Sequence, residues 1–524
     1  MRSPITTMHA FHPPSCVRGA LLLAMFVMMP AAFVPGGLAA IAQGKKVSNL
    51  DDAKIYREAM AWFKKAEALI GTPQENSEEQ AELFRKALEI KPDFLEARYN
   101  LGLIYANQKR TREAATEFEA VLRLEPEFKG IHLLLAAAYR ELGDIRAAIV
   151  AAQQGLRKDP NDKQLLKALA FLQLNDKDDS QAIPTLIRLL ELVPDDVEAR
   201  IDLALLHHKG GKLEEAIRNY RKALEFDPNN FAARYNLGLI YLRQARNAEA
   251  AAQLEAANSL APGNAELLER LGDAYAFQEE HEKAAAAYQD AVKVQPDRAA
   301  LFSKLGFSLA SRGRTDQAIA SLERSVRLAP ESADTYYLLG DLYSEKGMQD
   351  ESIQSYKNAL RVNPRLKEVH YNLGTLYAER KQYEEARSEL QAAVDLDANY
   401  SAAWANLAIV YDRLALDSEA IAAHEKVIAL GHGKAQNYFR LGYLYAKAGQ
   451  VDPSIDNFAR AIELEPDKYR EILREELKKI RSVLDSIRYK ERFTRLLTAP
   501  SPHSSPDFNF PPARQNEIKE LCSG

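Results

Sequence analysis

Proline stands at positions 92, 126, 160, 194, 228, 262, 296, 330 and 364, each 34 residues after the last, and returns in the same phase at Pro466. Proline averages about 5% of residues in proteins, so a run of this kind marks a repeat and not chance. Ala398 and His432 occupy the two intervening places. A chain of 524 residues would otherwise suggest several globular domains of roughly 150 residues each. A fixed period replaces that expectation with an array in which each repeat buries its apolar face on the next.

With position 1 set at residue 95, position 7 is leucine in every repeat: Leu101, Leu135, Leu169, Leu203, Leu237, Leu271, Leu305, Leu339, Leu373, Leu407 and Leu441. Position 8 is always glycine or alanine, and position 11 is tyrosine in most repeats, from Tyr105 to Tyr445. Position 20 is again small, as at Ala114, Ala250 and Ser352, and an aromatic or leucine follows four residues on, as at Phe118, Tyr288 and Phe458. Residues at i, i+1 and i+4 share one side of a helix, and the small member lets a second helix approach closely. Proline at position 32 then ends the second helix, because it has no backbone donor and restricts the residue before it. Each repeat therefore reads as a helix, a short turn and an antiparallel helix.

The order Leu-Gly, Tyr, Ala, aromatic and Pro at period 34 resembles the tetratricopeptide repeat family. The resemblance covers residues 95–466 in eleven tandem units, with an atypical first hairpin and leader over 43–94. In that first repeat the opening helix, around Tyr56 to Ile70, is displaced by the loop Gly71–Ser77. The fold class expected is all-α, a right-handed α-solenoid of about twelve hairpins closed by a C-terminal capping helix. That cap is read from Leu473, Leu477, Ile480, Leu484 and Ile487, spaced four and three apart within residues 467–497. Prolines and serines over 498–524 indicate a flexible tail. Pro184 falls inside a second helix, where Ser180 is read as the cap of a shortened helix, with Pro184 in its first turn and a local kink as the consequence. Gly431-His432-Gly433 should end its helix as proline does.

The first 42 residues read as an export signal: Arg2 and Arg18 precede an apolar run from Ala20 to Val34, and Ala40-Ile41-Ala42 offers a cleavage site. That run is shorter than the about 20 residues a membrane-spanning helix needs, and Pro30 interrupts it. The expected location is periplasmic or secreted, the alternative being an anchor formed by residues 20–42. Cys16 and Cys522, the two cysteines, sit at opposite ends and support no disulfide framework. A net charge of -5, with 69 basic and 74 acidic residues, lacks the basic stripe expected of a nucleic-acid binder.

Arrays of this kind present an extended face to other chains, and the resemblance implies that first helices line it. Position 6, which the packing pattern leaves unclaimed, holds Asn100, Asn236, Asn372 and Asn406. In related arrays an asparagine there hydrogen-bonds the backbone of a bound peptide, a role suited to an amide that both donates and accepts. The alternative is that these amides are solvated or tie adjacent helices together. Arg270, Lys304 and Arg440 hold the same position and point to acidic partner residues, or to plain solvated charge. The carboxylate clamp of co-chaperone members is incomplete, since Lys167 lacks its asparagine and Phe171 stands in that place.

No catalytic domain, Gly-rich phosphate loop or paired cysteine motif is read from the sequence, so no cofactor, metal or enzymatic activity is expected. The array also resembles the repeat half of protein O-glycosyltransferases, without the sugar-transferring half. His207 and His208 are adjacent, hence about 100° apart on a helix and a poor ligand pair, with 207 expected in the core and 208 in solvent. Trp62 and Trp404 read as packing residues. The function expected is a non-catalytic scaffold that holds a protein or peptide partner, possibilities beside it being a structural spacer, self-association, or occupation of the groove by the tail segment Phe508–Phe510.

Overall fold

The computed structural model describes residues 50–479 and Leu497. The signal reading of residues 1–42, the tail of 498–524 and the capping positions 480–487 lie outside the described residues. Among the described residues every regular element is a helix, and none is long and apolar enough to cross a membrane. They form twelve antiparallel hairpins and one further helix, in two compact units divided between Val294 and Gln295.

The N-terminal unit holds seven hairpins, from Leu50–Glu67 with Glu78–Ile90 to Ala265–Ala276 with His281–Val294. Its first helix begins and ends earlier than the sequence suggests, because the chain turns after Glu67 and restarts at Ser77, whose Oγ accepts from the Gln80 amide at 3.2 Å. The C-terminal unit holds five hairpins, from Ala299–Ala310 with Thr315–Leu328 to Ala435–Lys447 with Val451–Leu464. Pro466–Lys479 follows, and its Tyr469 and Leu473 pack with Phe439, Phe458 and Leu497 at the end of that unit.

The close approach of paired helices follows from position 8. A Cβ added at Gly102 would lie 2.6 Å from the Phe118 ring, one at Gly272 2.5 Å from the Tyr288 ring, and one at Gly442 2.8 Å from the Phe458 ring. The ring or leucine of the second helix therefore fills the space that glycine vacates. Where position 20 is serine and not alanine, the buried hydroxyl is satisfied by the facing backbone: Ser352 Oγ donates to Gly340 O at 2.8 Å and Ser454 Oγ to Gly442 O at 2.7 Å.

The turn between paired helices has one geometry throughout. Position 15 adopts positive φ in all eleven regular repeats, whether glycine, as at Gly143 and Gly347, or not, as at Lys109, Ala245 and Ala415. The next amide reaches back to the carbonyl of position 11, as in Arg110 N to Tyr105 O at 2.8 Å and Gln382 N to Tyr377 O at 2.9 Å. This is a left-handed helix cap, in which the turn dictates the conformation and non-glycine residues bear its strain.

Pro184 lies deeper than the sequence reading placed it. Asp178 caps the helix Asp179–Leu192 by accepting from the Gln181 amide, Ser180 donates to Asp178 at 2.7 Å, and Pro184 is the sixth helical residue. The helix continues through it with one intrahelical donor missing.

Candidate functional site

Position 6 lies one residue before the buried leucine of position 7, and at Asn372, Asn406 and Arg440 its side chain reaches the preceding repeat. In the C-terminal unit this produces bridges between neighbouring helices. Asn372 Nδ2 donates to Asp341 Oδ1 at 3.0 Å and lies 3.5 Å from the Tyr356 hydroxyl. Asn406 Nδ2 donates to Thr375 Oγ1 at 2.8 Å. Both asparagines are half-buried, and with their N–H groups engaged each retains an amide oxygen as acceptor. Asp341 and Thr375 are position 9 of the preceding repeats.

Arg440 donates from Nε to Asp412 Oδ2 at 2.9 Å and lies over the Tyr443 ring, 5.3 Å from its centroid. Asp412 also faces the buried His424 at 3.3 Å, whose other ring nitrogen meets Asn437 at 3.2 Å. Burial pushes the Asp412 carboxyl up, but His424 and Arg440 outweigh it and hold the carboxyl below its ordinary value. Lys304 is half-buried and engaged within the chain.

In the N-terminal unit the position-6 residues behave differently. Asn100 is half-buried, and its side chain makes no hydrogen bond to another described residue. Asn236 is 0% exposed and engaged, so the expectation of an open amide does not hold there. Arg270 is largely enclosed, its Nη1 3.4 Å from Asp273 Oδ2, and Asp273 Oδ1 accepts from the Tyr288 hydroxyl at 2.7 Å. Burial and the Asp273 charge raise the Tyr288 hydroxyl far above its usual range. Arg270 is therefore neutralised locally and does not stand ready for an acidic partner.

Two further sequence expectations change. His208 is the buried histidine at 8% exposure and His207 the half-buried one, because position 12 turns inward on this first helix. Burial lowers both imidazoles. Lys167 is engaged with Asp196 at 3.1 Å and Glu198 at 3.0 Å. Trp404 donates from Nε1 to Ala398 O at 3.1 Å, and Trp62 lies under Lys65 and Lys86.

Two patterns escaped the sequence reading. The tyrosine of position 11 bonds position 25 of the preceding repeat, twenty residues back: Tyr139 donates to Glu119 at 2.6 Å, Tyr343 to Glu323 at 2.7 Å and Tyr411 to Gln391 at 2.8 Å. Tyr105 and Tyr241 instead accept, from Arg85 at 3.1 Å and Arg221 at 2.9 Å. The second pattern is aromatic. Tyr371 at position 5 meets Tyr400 with centroids 5.2 Å apart, and Tyr99 meets Phe128 in the same register at 5.1 Å.

Sequence models described as tetratricopeptide repeat match residues 74–126, 108–172, 235–300, 367–400 and 435–468, and one described as TPR repeat matches 207–245, 308–347 and 340–380. Together they take in more than half of the chain, which belongs to the tetratricopeptide repeat family. These repeats support a protein-interaction scaffold, and the fold is typically non-catalytic. Among solved structures, the MamA protein is 29% identical over 32% of this chain and 92% of its own, with a TM-score of 0.31. MamA from Desulfovibrio magneticus RS-1 is 26% identical over 32% and 93%, with a TM-score of 0.29. YrrB, described as a TPR protein with an unusual peptide-binding site, is 22% identical over 35% and 95%, with a TM-score of 0.32. No curated protein matches the chain.

Proposed function

We propose that the chain is an exported, non-catalytic scaffold that seats an extended peptide segment of a protein partner on the first-helix face of its C-terminal unit. The observation that carries this reading is the half-open row formed by Asp341, Asn372, Thr375 and Asn406, whose internal bonds fix the side chains while leaving the two amide oxygens as acceptors. Preorganised acceptors bind an extended backbone without first being immobilised, which lowers the entropic cost of association. An interface of roughly 1,600 Å² in total is of the size that specific complexes use. Residues 1–42 act as the export signal in this reading, and the partner shares the exported compartment.

The test is binding of a peptide library to purified residues 43–524, compared with a double variant, Asn372→Ala with Asn406→Ala, shown by circular dichroism to be folded. Loss of binding in the variant supports the groove role. Peptides that bind both proteins equally would move the contact elsewhere, and an absence of binding would favour a structural spacer. N-terminal sequencing of the protein from its native compartment should begin at Gln43; an intact Met1 on protein in the membrane fraction would favour the anchor of residues 20–42, and on protein in the cytosolic fraction would remove the export reading.

A further inference from the structure

We propose that the face built by Tyr337, Tyr371 and Tyr400 is a seat for a basic side chain, lysine or arginine, carried by the bound peptide. The proposal rests on the scaffold reading and specifies what that face selects.

Tyr337 and Tyr371 are position 5 of successive repeats, and Tyr400 precedes the first helix of the next. All three are half-buried, with Tyr371 and Tyr400 tilted at 45° to one another. Burial and the proximity of Tyr371, Glu368 and Tyr337 push the Tyr400 hydroxyl up to about 12, and burial with Asp341 and Glu368 raises that of Tyr337. The Tyr400 and Tyr337 hydroxyls thus stay neutral, and the three rings share their surroundings with two carboxylates. Glu368 is exposed and makes no salt bridge with a described residue. Asp341 is half-buried, bonded by neutral groups only, Tyr356 and Asn372. Burial raises its carboxyl above the ordinary value.

What the face offers is therefore one kind of chemistry: aromatic π faces, carboxylate oxygens and the Asn372 amide oxygen. A cation with several N–H donors satisfies all three at once. The chain already places one cation against these rings. Lys367 lies 5.5 Å from the Tyr400 centroid, but its ammonium is fixed by Asp397 at 2.6 Å and does not neutralise Glu368 by a salt bridge. An acidic or neutral residue from a partner would meet Glu368 with repulsion or leave it unsatisfied.

The experiment uses the full chain and fluorescence anisotropy with a set of nine-residue peptides of Gly, Ala and Ser that differ only at the centre, which is Lys, Arg, Gln or Glu. Lys and Arg peptides should bind about tenfold more tightly than the Gln peptide, and the Glu peptide more weakly still. Glu368→Gln and Tyr371→Leu should each remove that preference, while Tyr371→Phe, which keeps the ring, should retain it. Peptides that bind with no preference for a basic centre would overturn this proposal and leave the scaffold reading standing. A preference that survives both Glu368→Gln and Tyr371→Leu would also overturn it. If none of the peptides binds, both fall.

Discussion

The first helices of the two units share a packing pattern and differ in what they place at position 9. In the N-terminal unit that position is Leu103, Ala137, Phe171, Leu205 and Leu239 in the first five regular repeats and Asp273 in the sixth, with Leu205 and Leu239 only 4% and 1% exposed. In the C-terminal unit it is Phe307, Asp341, Thr375, Ile409 and Tyr443, and Phe307 and Ile409 are 43% and 45% exposed. The leucine of position 7 and the small residue of position 8 are the same in both. Positions 7, 8, 11 and 20 hold a hairpin together, so position 9 is released to specialise, apolar in one stretch and mixed in the other.

The largest effects should come from the shared pattern. Leu237→Ala and Leu373→Ala, both at nearly fully buried sites, should each cost about 2–5 kcal/mol. Hydrogen exchange should quicken in the affected repeat and its neighbours within the same unit; uniform loosening of both units would break the comparison. Gly238→Ala and Gly374→Ala should each cost about 1–3 kcal/mol in thermal or denaturant unfolding. The penalty should be larger at 374, where the added carbon meets backbone atoms at 3.1 and 3.2 Å as well as Leu390, than at 238, where it meets chiefly the Leu254 side chain. Ala245→Gly and Ala415→Gly should instead stabilise their units by about 1 kcal/mol, because both alanines occupy left-handed turns. A fall in melting temperature on either substitution would contradict the turn geometry.

The smallest expected effect separates the units by sign. In the N-terminal unit His132, His207 and His208 are lowered, by burial first and then by neighbours such as Lys158, Lys212 and Arg243. Their contribution is present above the unfolded value of about 6.5 and lost as pH falls below it. In the C-terminal unit burial alone would lower His370, but its hydrogen bond to Glu389 at 2.6 Å and that to the Pro364 carbonyl raise it. Its contribution is full below about 6.5 and lost as pH rises through the raised folded value. Exchange-resolved stability at about pH 5.5 and 7.5 should therefore move in opposite directions for His208→Leu and His370→Gln relative to the parent chain. Shifts of one sign would merge the two units.

Much of the fold was legible because the constraints that set it are local and periodic. Pro126 and Pro228, at their fixed place in the period, each follow the end of a helix, and Gly102 or Gly272 marks a close approach whatever the partner. What stayed hidden depends on how one repeat meets another. Lys381 and Ala415 carry no mark of a left-handed turn, since the cap around them imposes it. His207 and His208 were exchanged because Leu203, Leu205 and Leu206 are spread around a helix that also carries Glu198, Arg200 and Asp202, so it has no clear outer face in sequence. The position-6 asparagines were visible as a row. Their partners, Asp341 and Thr375, lie thirty-one residues away, and only the stacked hairpins bring them within reach.

The joint made by the tyrosine of position 11 has a consequence for how such a chain can grow. A phenolic hydroxyl both gives and takes a hydrogen bond, so it meets Glu119 or Glu323 as readily as Arg85 or Arg221. A repeat bearing it can follow a predecessor of either charge without any change at the seam. Duplication or reordering of hairpins would then leave the connection intact, and a gene lengthened by whole multiples of 34 codons would encode a longer array that still fits together.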